Sequence, residues 1–385
     1  QPLDIVLPDG SRFNFGQEPC AVMAVRDPNL LPILTHPTLG SLGEAFVDGR
    51  IDIDGDIMAV IAGAERLVET GGSFAPSRIP AASARHTPRQ DLDDIKHHYD
   101  VGNDFYRLWL DERMVYSCAY FRTGEETIDA AQEDKLDHIC RKLRLQPGER
   151  LLDIGCGWGG LILHAAQHYG ARAVGLTLSD NQFALAKERV RKAGLGGRVE
   201  VLLLDYRNAL SRFGEAAFDK VSSVGMFEHI GLKNFSVYFG TVRRLLRDRG
   251  LFMNHGITSP DADGRTVGSG VSEFMDKYVF PHTELPHLHS VIREMARQNF
   301  EVYDVESLQP HYARTLAHWS HRLEKHLHAA RQQVGEQTLR VWRTYLAGSS
   351  LAFSQGWLNV YQVLASRQET GGLTELPLTR AWMYQ

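Results

Sequence analysis

The feature that most constrains this chain is the run Leu151–Gly160, which reads Leu-Leu-Asp-Ile-Gly-Cys-Gly-Trp-Gly-Gly. A short apolar stretch ends in an acid and turns through alternating glycines, which predicts a buried strand followed by a tight turn into a helix. Glycine has no Cβ and tolerates positive φ, so the backbone can turn sharply and approach a ligand closely. The run therefore predicts a nucleotide-cofactor site at the end of a strand.

Two cofactor classes compete for this turn. Its glycines satisfy the G-x-G-x-x-G pattern of dinucleotide enzymes, but those enzymes place an acid about 20 residues further on to hold the ribose hydroxyls. The predicted second strand carries Thr177 at that point, which disfavours NAD. The turn instead resembles that of S-adenosylmethionine methyltransferases, and Asp205, at the end of the third predicted strand, resembles the acid that meets their adenine amino group.

Segments with strand character alternate with helical patterns after this turn. Such alternation predicts an α/β fold with a doubly wound, Rossmann-like parallel sheet, whose ligands bind at the carboxyl ends of the strands. A mostly helical region over residues 285–367 is expected to cap that edge. Strands are predicted near residues 151–154, 172–178, 199–204, 218–224 and 250–255, with helices over 91–110, 127–143, 181–193 and 237–247.

The chain is long enough for two domains, because single cores stop growing well below 385 residues. Residues 1–75 alternate short apolar runs with turns and then give a helical pattern, which predicts a small α+β N-terminal domain. Residues 76–90 are rich in Pro, Ser, Ala and Arg without a period and are interpreted as a linker. Residues 91–385 are predicted to form the catalytic domain.

Composition excludes several function classes. The net charge is −5, without the concentrated basic face of a nucleic-acid-binding protein. No apolar stretch approaches the roughly 20 residues of a membrane span, and no signal peptide is evident, so a cytoplasmic protein is expected. The H-x-H spacings in the C-terminal half lack acid or thiol partners, so no metal site is expected. Disulfides and thiolate zinc are disfavoured because no two of the four cysteines lie close together: Cys20, Cys118, Cys140 and Cys156.

Five further segments, taken together and in this order, resemble the cyclopropane fatty-acyl-phospholipid synthases and their mycolic-acid relatives. The resemblance covers residues 91–385, and the extra N-terminal domain resembles the phospholipid-acting branch. The segments are His98–Phe105 (HYDVGNDF), Tyr116–Phe121 (YSCAYF), Gly155–Gly160 (GCGWGG), Gly225–Gly231 (GMFEHIG) and Gln309–Leu316 (QPHYARTL).

The resemblance implies a reaction and its residues. The methyl group of S-adenosylmethionine is delivered to a cis double bond of a phospholipid acyl chain, and a bound bicarbonate removes a proton as the ring closes. The residues on the bicarbonate positions are Cys118, Glu228, His255, Ile257 and Tyr312. Those on cofactor positions are Tyr99 and Ser117 at the methionine end with Gly155 and Gly157, Thr177 and Gln182 near the ribose, and Asp205 and Tyr206 at the adenine. Relatives commonly have Thr where this chain has Gly256.

Several alternatives stay open at the level of sequence. An acyl-chain methyltransferase with a methyl- or methylene-branched product differs only in where the cation loses its proton. A small-molecule N-methyltransferase is disfavoured by the N-terminal domain. A non-catalytic lipid-binding protein is disfavoured because the glycines and Glu228 are intact. Expected partners are an unsaturated phospholipid and the inner face of the cell membrane, with no nucleic acid; a homodimer is one candidate for the oligomeric state.

Overall fold

The computed structural model describes residues 3–16, 18–30, 33, 35–70, 87, 101–263, 267–281, 283–368 and 376–384. The chain divides into two compact units: one of residues 1–83, 263–282 and 313–357, and one of residues 84–262, 283–312 and 358–385. The predicted linker at 76–90 falls almost wholly outside the described residues, so the predicted domain boundary stays a prediction.

The elements are numbered along the whole chain. The strands are β1 Leu3–Val6, β2 Arg12–Phe15, β3 Ala21–Val25, β4 Ile51–Gly55, β5 Arg150–Ile154, β6 Arg172–Thr177, β7 Val199–Leu203, β8 Phe218–Val224, β9 Leu246–Thr258, β10 Phe300–Ser307 and β11 Asn359–Arg367. The α-helices are α1 Leu39–Val47, α2 Ile57–Thr70, α3 Asn103–Arg107, α4 Ile128–Lys142, α5 Gly160–His168, α6 Asp180–Lys192, α7 Ala209–Phe213, α8 Phe235–Leu245, α9 Val271–Tyr278, α10 Leu288–Arg297, α11 Gln309–Lys325 and α12 Leu327–Ser354.

The second unit is built on a seven-stranded sheet in the order β10-β11-β9-β8-β5-β6-β7. Strands β5 to β9 run parallel to one another, whereas β11 is antiparallel to both β9 and β10. Helices cover both faces and bury two apolar clusters against the sheet. The predicted doubly wound α/β fold is confirmed, and the carboxyl ends of β5, β6 and β8 lie along one edge of the sheet.

The region 285–367 is mostly helical as predicted, through α10, α11 and α12, but it also contains the strands β10 and β11, which were not predicted. Strand β10 alternates buried or half-buried and exposed residues in part, as an outer strand does. Strand β11 lies between two neighbours and is buried along most of its length, so it shows no clear period of two. In the predicted helix at 91–110, the described part is helical only over α3.

The first unit contains a four-stranded sheet in the order β2-β1-β3-β4. Helices α1 and α2 pack on this sheet and also contact α12, and α9 packs on α1. The approach of α1 to α9 needs glycine, since a Cβ at Gly40 would lie 2.3 Å from the carbonyl oxygen of Gly270. Arg340 of α12 donates to the carbonyl oxygens of Phe46 and Ile51, each at 2.9 Å. The described part of residues 1–75 thus packs with α9 and α12 in the first unit, and the predicted bounds of the N-terminal domain stay a prediction.

Among the described residues, no helix is long and apolar enough to cross a bilayer.

Candidate functional site

The glycine-rich turn follows β5 and forms one wall of a cavity. The backbone N–H groups of Gly155 and Cys156 both donate to the carbonyl oxygen of Leu176, at 3.0 and 2.8 Å, which ties the turn to β6. Gly155 and Gly157 have φ values of +82° and +54°, in the left-handed region that favours glycine. A Cβ added at Gly157 would meet nothing within 4 Å. Gly157 therefore presents bare backbone to a space that a ligand can enter.

Most of the predicted cofactor residues line this one cavity. Thr177 and Gln182 are joined across it, because the Thr177 hydroxyl donates to Gln182 Oε1 at 2.8 Å. Ser179 between them caps α6 and accepts from the Gln182 backbone N–H. The predicted residues in the cavity wall are Ser117, Gly155, Gly157, Thr177, Gln182 and Tyr206.

Two predicted cofactor residues are not in that wall. Tyr99 lies outside the described residues. The carboxylate of Asp205 is held by Arg207, which donates from Nε at 2.9 Å and from its terminal nitrogen at 2.6 Å, and from its backbone N–H. Arg207 itself lines the cavity. An adenine amino group that donates to Asp205 would share this carboxylate with Arg207.

Sequence reasoning missed a charged residue of the same wall. Lys135 of α4 is 1% exposed and donates from Nζ to Ser117 Oγ at 2.7 Å. Gln132, one turn earlier, donates to the carbonyl oxygens of Ser117 and Val115, at 2.8 and 3.3 Å. The sequence did contain a signal: Gln132 and Lys135 are one turn apart and share the face of the amphipathic helix that carries its buried apolar residues. Polar side chains are uncommon on such a face.

Glu228 belongs to a second group of residues, those predicted at the bicarbonate positions, and it follows the wall residue Met226 closely in the chain. The wall includes Gly225 and Met226, and Glu228 follows in a short 3-10 helix with its side chain buried. Glu228 Oε1 accepts from the backbone N–H of Ile257 at 3.3 Å, while Oε2 is buried and has no partner among the described residues. Burial raises the pKa of Glu228 to about 7.

His255 lies on β9, paired with Val224 at the end of β8. Its carbonyl oxygen accepts from the Gly225 N–H at 2.8 Å, which joins it to the Glu228 segment. Gln362 of β11 lies opposite His255, with Nε2 3.3 Å from His255 Nδ1. With the amide N–H of Gln362 facing the ring, Nδ1 is the acceptor, and the proton of a neutral ring then sits on Nε2. His255 Nε2 is buried and has no partner among the described residues. Burial, with the nearby charges of Lys135 and Lys142, lowers the pKa of His255 well below its usual value.

Cys118 and Tyr312 meet at one carbonyl group. Cys118 Sγ lies 3.7 Å from the oxygen of Leu308, which also accepts the backbone N–H of Tyr312 at 3.0 Å. The two segments are clamped further because Tyr120 stacks on His311, at 4.8 Å between ring centroids. Cys118 and Tyr312 are both buried.

The five residues predicted at the bicarbonate positions thus form two pairs of contacts plus His255, and none of them lines the cofactor cavity itself. They adjoin that cavity along the chain, since Ser117 precedes Cys118 and Met226 precedes Glu228 by two residues. Their roles stay predictions. Among the described residues, Glu228 Oε2 and His255 Nε2 have no partner, whereas the Ile257 N–H already donates to Glu228 Oε1.

This chain is similar in sequence and fold to known proteins. The family model for mycolic acid cyclopropane synthetase matches residues 86–363. The chain is 48% identical over 384 residues to a probable fatty acid methyltransferase of Pseudomonas putida, covering 100% of this chain and 96% of that protein. It is 37% identical to the cyclopropane-fatty-acyl-phospholipid synthase of Escherichia coli K12, covering 72% of this chain and 69% of that one.

A solved structure shares the fold as well. The mycolic acid cyclopropane synthase CmaA1, complexed with SAH and CTAB, is 34% identical, with a TM-score of 0.67. The match covers 71% of this chain and 98% of that one.

Proposed function

The chain belongs to the mycolic acid cyclopropane synthetase family, and on that premise we propose that it forms a cyclopropane ring on a phospholipid acyl chain. It is an S-adenosylmethionine-dependent methyltransferase of the fatty acid and cyclopropane synthase group. In the proposed reaction, the cofactor's methyl group is transferred to a cis double bond. A proton then leaves the new methyl group as its carbon bonds to the cationic carbon, and S-adenosylhomocysteine is released.

The reaction needs positioning and a dry site more than it needs a strong nucleophile. An alkene is a weak nucleophile, so it must be held in line with the sulfonium. Water must be kept from the carbocation, which it would otherwise trap. The apolar parts of the cavity wall, among them Leu136, Ile139 and Leu176, suit both demands.

The observation that carries the proposal is that two buried polar atoms, Glu228 Oε2 and His255 Nε2, have no partner among the described residues. Buried polar atoms are rarely left unpaired, so each such atom needs an explanation. A bound small oxyanion would give these atoms a partner. A bicarbonate bound there would supply the base that accepts the methyl proton. Glu228 and His255 would orient it, and the neutral state of His255 keeps Nε2–H a donor without adding charge.

Isotope retention in the product tests the proposed reaction. Vesicles of a cis-unsaturated phospholipid are incubated with cofactor that carries a trideuterated methyl group, and the fatty esters are analysed by mass spectrometry. A cyclopropane product retains two deuterons, in the ring methylene. Retention of three deuterons would discard cyclopropanation and favour a methyl-branched product, while methyl transfer itself would stand. A Glu228→Gln enzyme should make the same product at least about 100-fold more slowly with unchanged cofactor affinity.

We further propose that the protein acts at a membrane surface, through apolar residues of the first unit. Phe13 and Phe15 on the edge strand β2 are 50% and 56% exposed, and both side chains lie on one face of that strand. Residues 1–75 carry eleven acidic residues against four arginines, so attraction to anionic lipid does not explain docking there. Aromatic side chains in the headgroup region would supply the affinity instead.

Point substitutions test docking without removing a part of the first unit. A Phe13→Ser, Phe15→Ser double variant should lose about tenfold in turnover on vesicles, with equal turnover on detergent-dispersed lipid. The matched control is Leu232→Ser, Val237→Ser, which removes two apolar side chains of similar exposure, 45% and 52%, from the second unit. Equal turnover of the Phe13, Phe15 variant and the unchanged protein on vesicles would refute docking through β2.

A further inference from the structure

Lys135 and Asp153 are two buried, oppositely charged residues in the wall of the cofactor cavity. Lys135 is 1% exposed and Asp153 is 3% exposed, and both line the same space. Their hydrogen bonds go elsewhere: Lys135 Nζ donates to Ser117 Oγ at 2.7 Å, and Asp153 Oδ1 accepts from Ser222 Oγ at 2.7 Å. Each charge is therefore anchored by a neutral hydroxyl rather than by the other charge.

Such an arrangement is costly unless the two charges do something together. Desolvating an ammonium or a carboxylate carries a penalty of several kcal/mol that a neutral hydroxyl repays only in part. Burial lowers the pKa of Lys135 to about 8, opposed first by the charge of Asp111 and then by that of Asp153. Burial raises the pKa of Asp153 to about 6, opposed first by the Ser222 hydrogen bond and then by Lys135. Both groups are consequently charged near pH 7. The cavity wall then has a positive pole at Ser117 and a negative pole at the end of β5.

The methionine end of the cofactor is itself a zwitterion, with a carboxylate and an ammonium on one carbon. We propose that Lys135 binds the carboxylate of this end, with Asp153 as the pole for its ammonium. Lys135 Nζ keeps further N–H donors beyond the one used on Ser117, and a lysine ammonium can direct them independently. Gln132 supports the same geometry because it fixes the Ser117 backbone from one turn earlier in α4.

Calorimetric titration with three related ligands measures the carboxylate contact and the ammonium contact separately. Three ligands differ in steps: S-adenosylhomocysteine has both charges, its decarboxylated analogue keeps only the ammonium, and 5′-methylthioadenosine has neither. The Lys135→Gln variant should bind S-adenosylhomocysteine about 30-fold more weakly, with less than about threefold change for the other two ligands. The Asp153→Asn variant should weaken the first two ligands and spare the third.

A matched control lies on the same helix. Lys142 is as deeply buried as Lys135, two turns further along α4, but it pairs with Glu306 at 2.5 Å and does not line the cavity. Lys142→Gln should lower stability while leaving the relative affinities for the three ligands unchanged. A Lys135→Gln protein that loses all three ligands equally would overturn the proposal, since that outcome describes a structural lysine.

Ser117→Ala supplies a second route if Lys135→Gln does not fold. Without the hydroxyl that orients Nζ, the variant should lose about three- to tenfold in affinity for S-adenosylhomocysteine and little for the decarboxylated analogue. Equal losses for both ligands would again count against a carboxylate contact. The inference rests on S-adenosylmethionine as methyl donor and not on the lipid product, so binding data can refute it whatever the deuterium experiment gives.

Discussion

The cofactor cavity and the group around Glu228 are neighbours in the chain, but they are built in different ways. The cavity wall includes one contiguous turn, in which Gly155 and Gly157 offer backbone and space. The second group takes single side chains from separate elements, and Glu228 and His255 each leave a buried polar atom without a protein partner. The cavity therefore depends on shape, whereas the second group depends on charge state and hydrogen bonds.

This difference predicts different kinds of sensitivity. A shape-based site fails when an atom is added, and it is indifferent to pH as long as the wall charges are kept. A site made of buried titratable groups fails when a proton or a donor is changed, even if no atom is added. Four substitutions, from the largest expected effect to the smallest, test this contrast.

The largest effect is expected from Gly157→Val. A Cβ there points into open space, so the branched side chain would occupy the volume that the cofactor needs, and a β-branched residue is strained at φ +54°. We expect cofactor affinity to fall about 1000-fold or more, which corresponds to about 4 kcal/mol. Calorimetric titration measures the affinity, and circular dichroism checks that the variant is folded.

Gly148→Val is the matched control for backbone strain. Gly148 has φ +83°, an added Cβ would meet nothing within 4 Å, and the residue lies outside the cavity wall. It should destabilise the fold comparably and keep cofactor affinity. Unchanged affinity in a folded Gly157→Val protein would remove the cofactor from this turn.

The second prediction concerns the charge state of Glu228. Burial raises its pKa from 4.5 to about 7, so stability from this group is fully present below pH 4.5 and is lost as the pH rises through about 7. The loss amounts to about 3 kcal/mol. Glu228→Gln removes the titration, so the free energy of unfolding of the variant relative to the unchanged protein should increase by that amount between pH 5 and pH 8.5.

Urea unfolding at the two pH values measures this difference. Glu301→Gln, at an exposed position of β10, is the control and should show no comparable pH-dependent gain. If the Glu228→Gln and Glu301→Gln curves run in parallel across the range, Glu228 does not carry a buried charge.

The two regions also differ in how far the sequence predicts them. The turn was predictable because its glycines are contiguous and their backbone requirement is local. The parallel strands β5 to β8 follow from short apolar runs between helical patterns, and the predicted bounds lie within a residue or two of the observed ones. Strands β10 and β11 were missed because their pairing, of β10 with β11 and of β11 with β9, is non-local, and for β11 burial on both faces erases the period of two.

The second group was predicted only through family resemblance. Nothing local to Gln362 indicates that it lies opposite His255, because that register depends on the pairing of β11 with β9. Lys135 was missed for a related reason: the helix α4 has the charged composition of a surface helix, and only the tertiary fold turns this lysine inward. The pairing of Arg207 with Asp205 could be predicted only from the geometry of the turn that joins them.

The third prediction adds an atom next to Glu228 rather than changing its charge. A Cβ on Gly256 would lie 2.0 Å from a ring carbon of Phe227 and 2.8 Å from Glu228 Oε2. Gly256→Ala should therefore cost about 2 kcal/mol of unfolding free energy and reduce turnover, because the 227–228 segment must move. The Thr that relatives commonly carry here cannot be accommodated beside this Phe227.

A double-mutant cycle isolates that contact. Phe227→Leu should recover at least half of the loss when it is combined with Gly256→Ala, since the ring carbon is gone. Gly196→Ala, where an added Cβ meets nothing within 4 Å, controls for the loss of glycine itself. Strict additivity of the Phe227 and Gly256 effects would contradict the steric reading.

The smallest effect is expected from Gln362→Leu, which changes neither the charge nor the volume of the second group by much. Gln362 is fully buried, its Nε2 fixes the proton of His255 on Nε2, and its own Oε1 has no protein partner. Without the amide the ring can adopt either tautomer, so turnover should fall about tenfold with cofactor affinity unchanged. Stability should stay within about 1 kcal/mol, because an unpaired buried oxygen is removed together with the hydrogen bond.

Gln362→Glu should be slower than Gln362→Leu, because a carboxylate accepts from Nδ1–H and reverses the tautomer. Nitrogen chemical shifts of labelled histidine report the tautomer directly, and wild-type turnover in both variants would show that His255 does not act through Nε2–H.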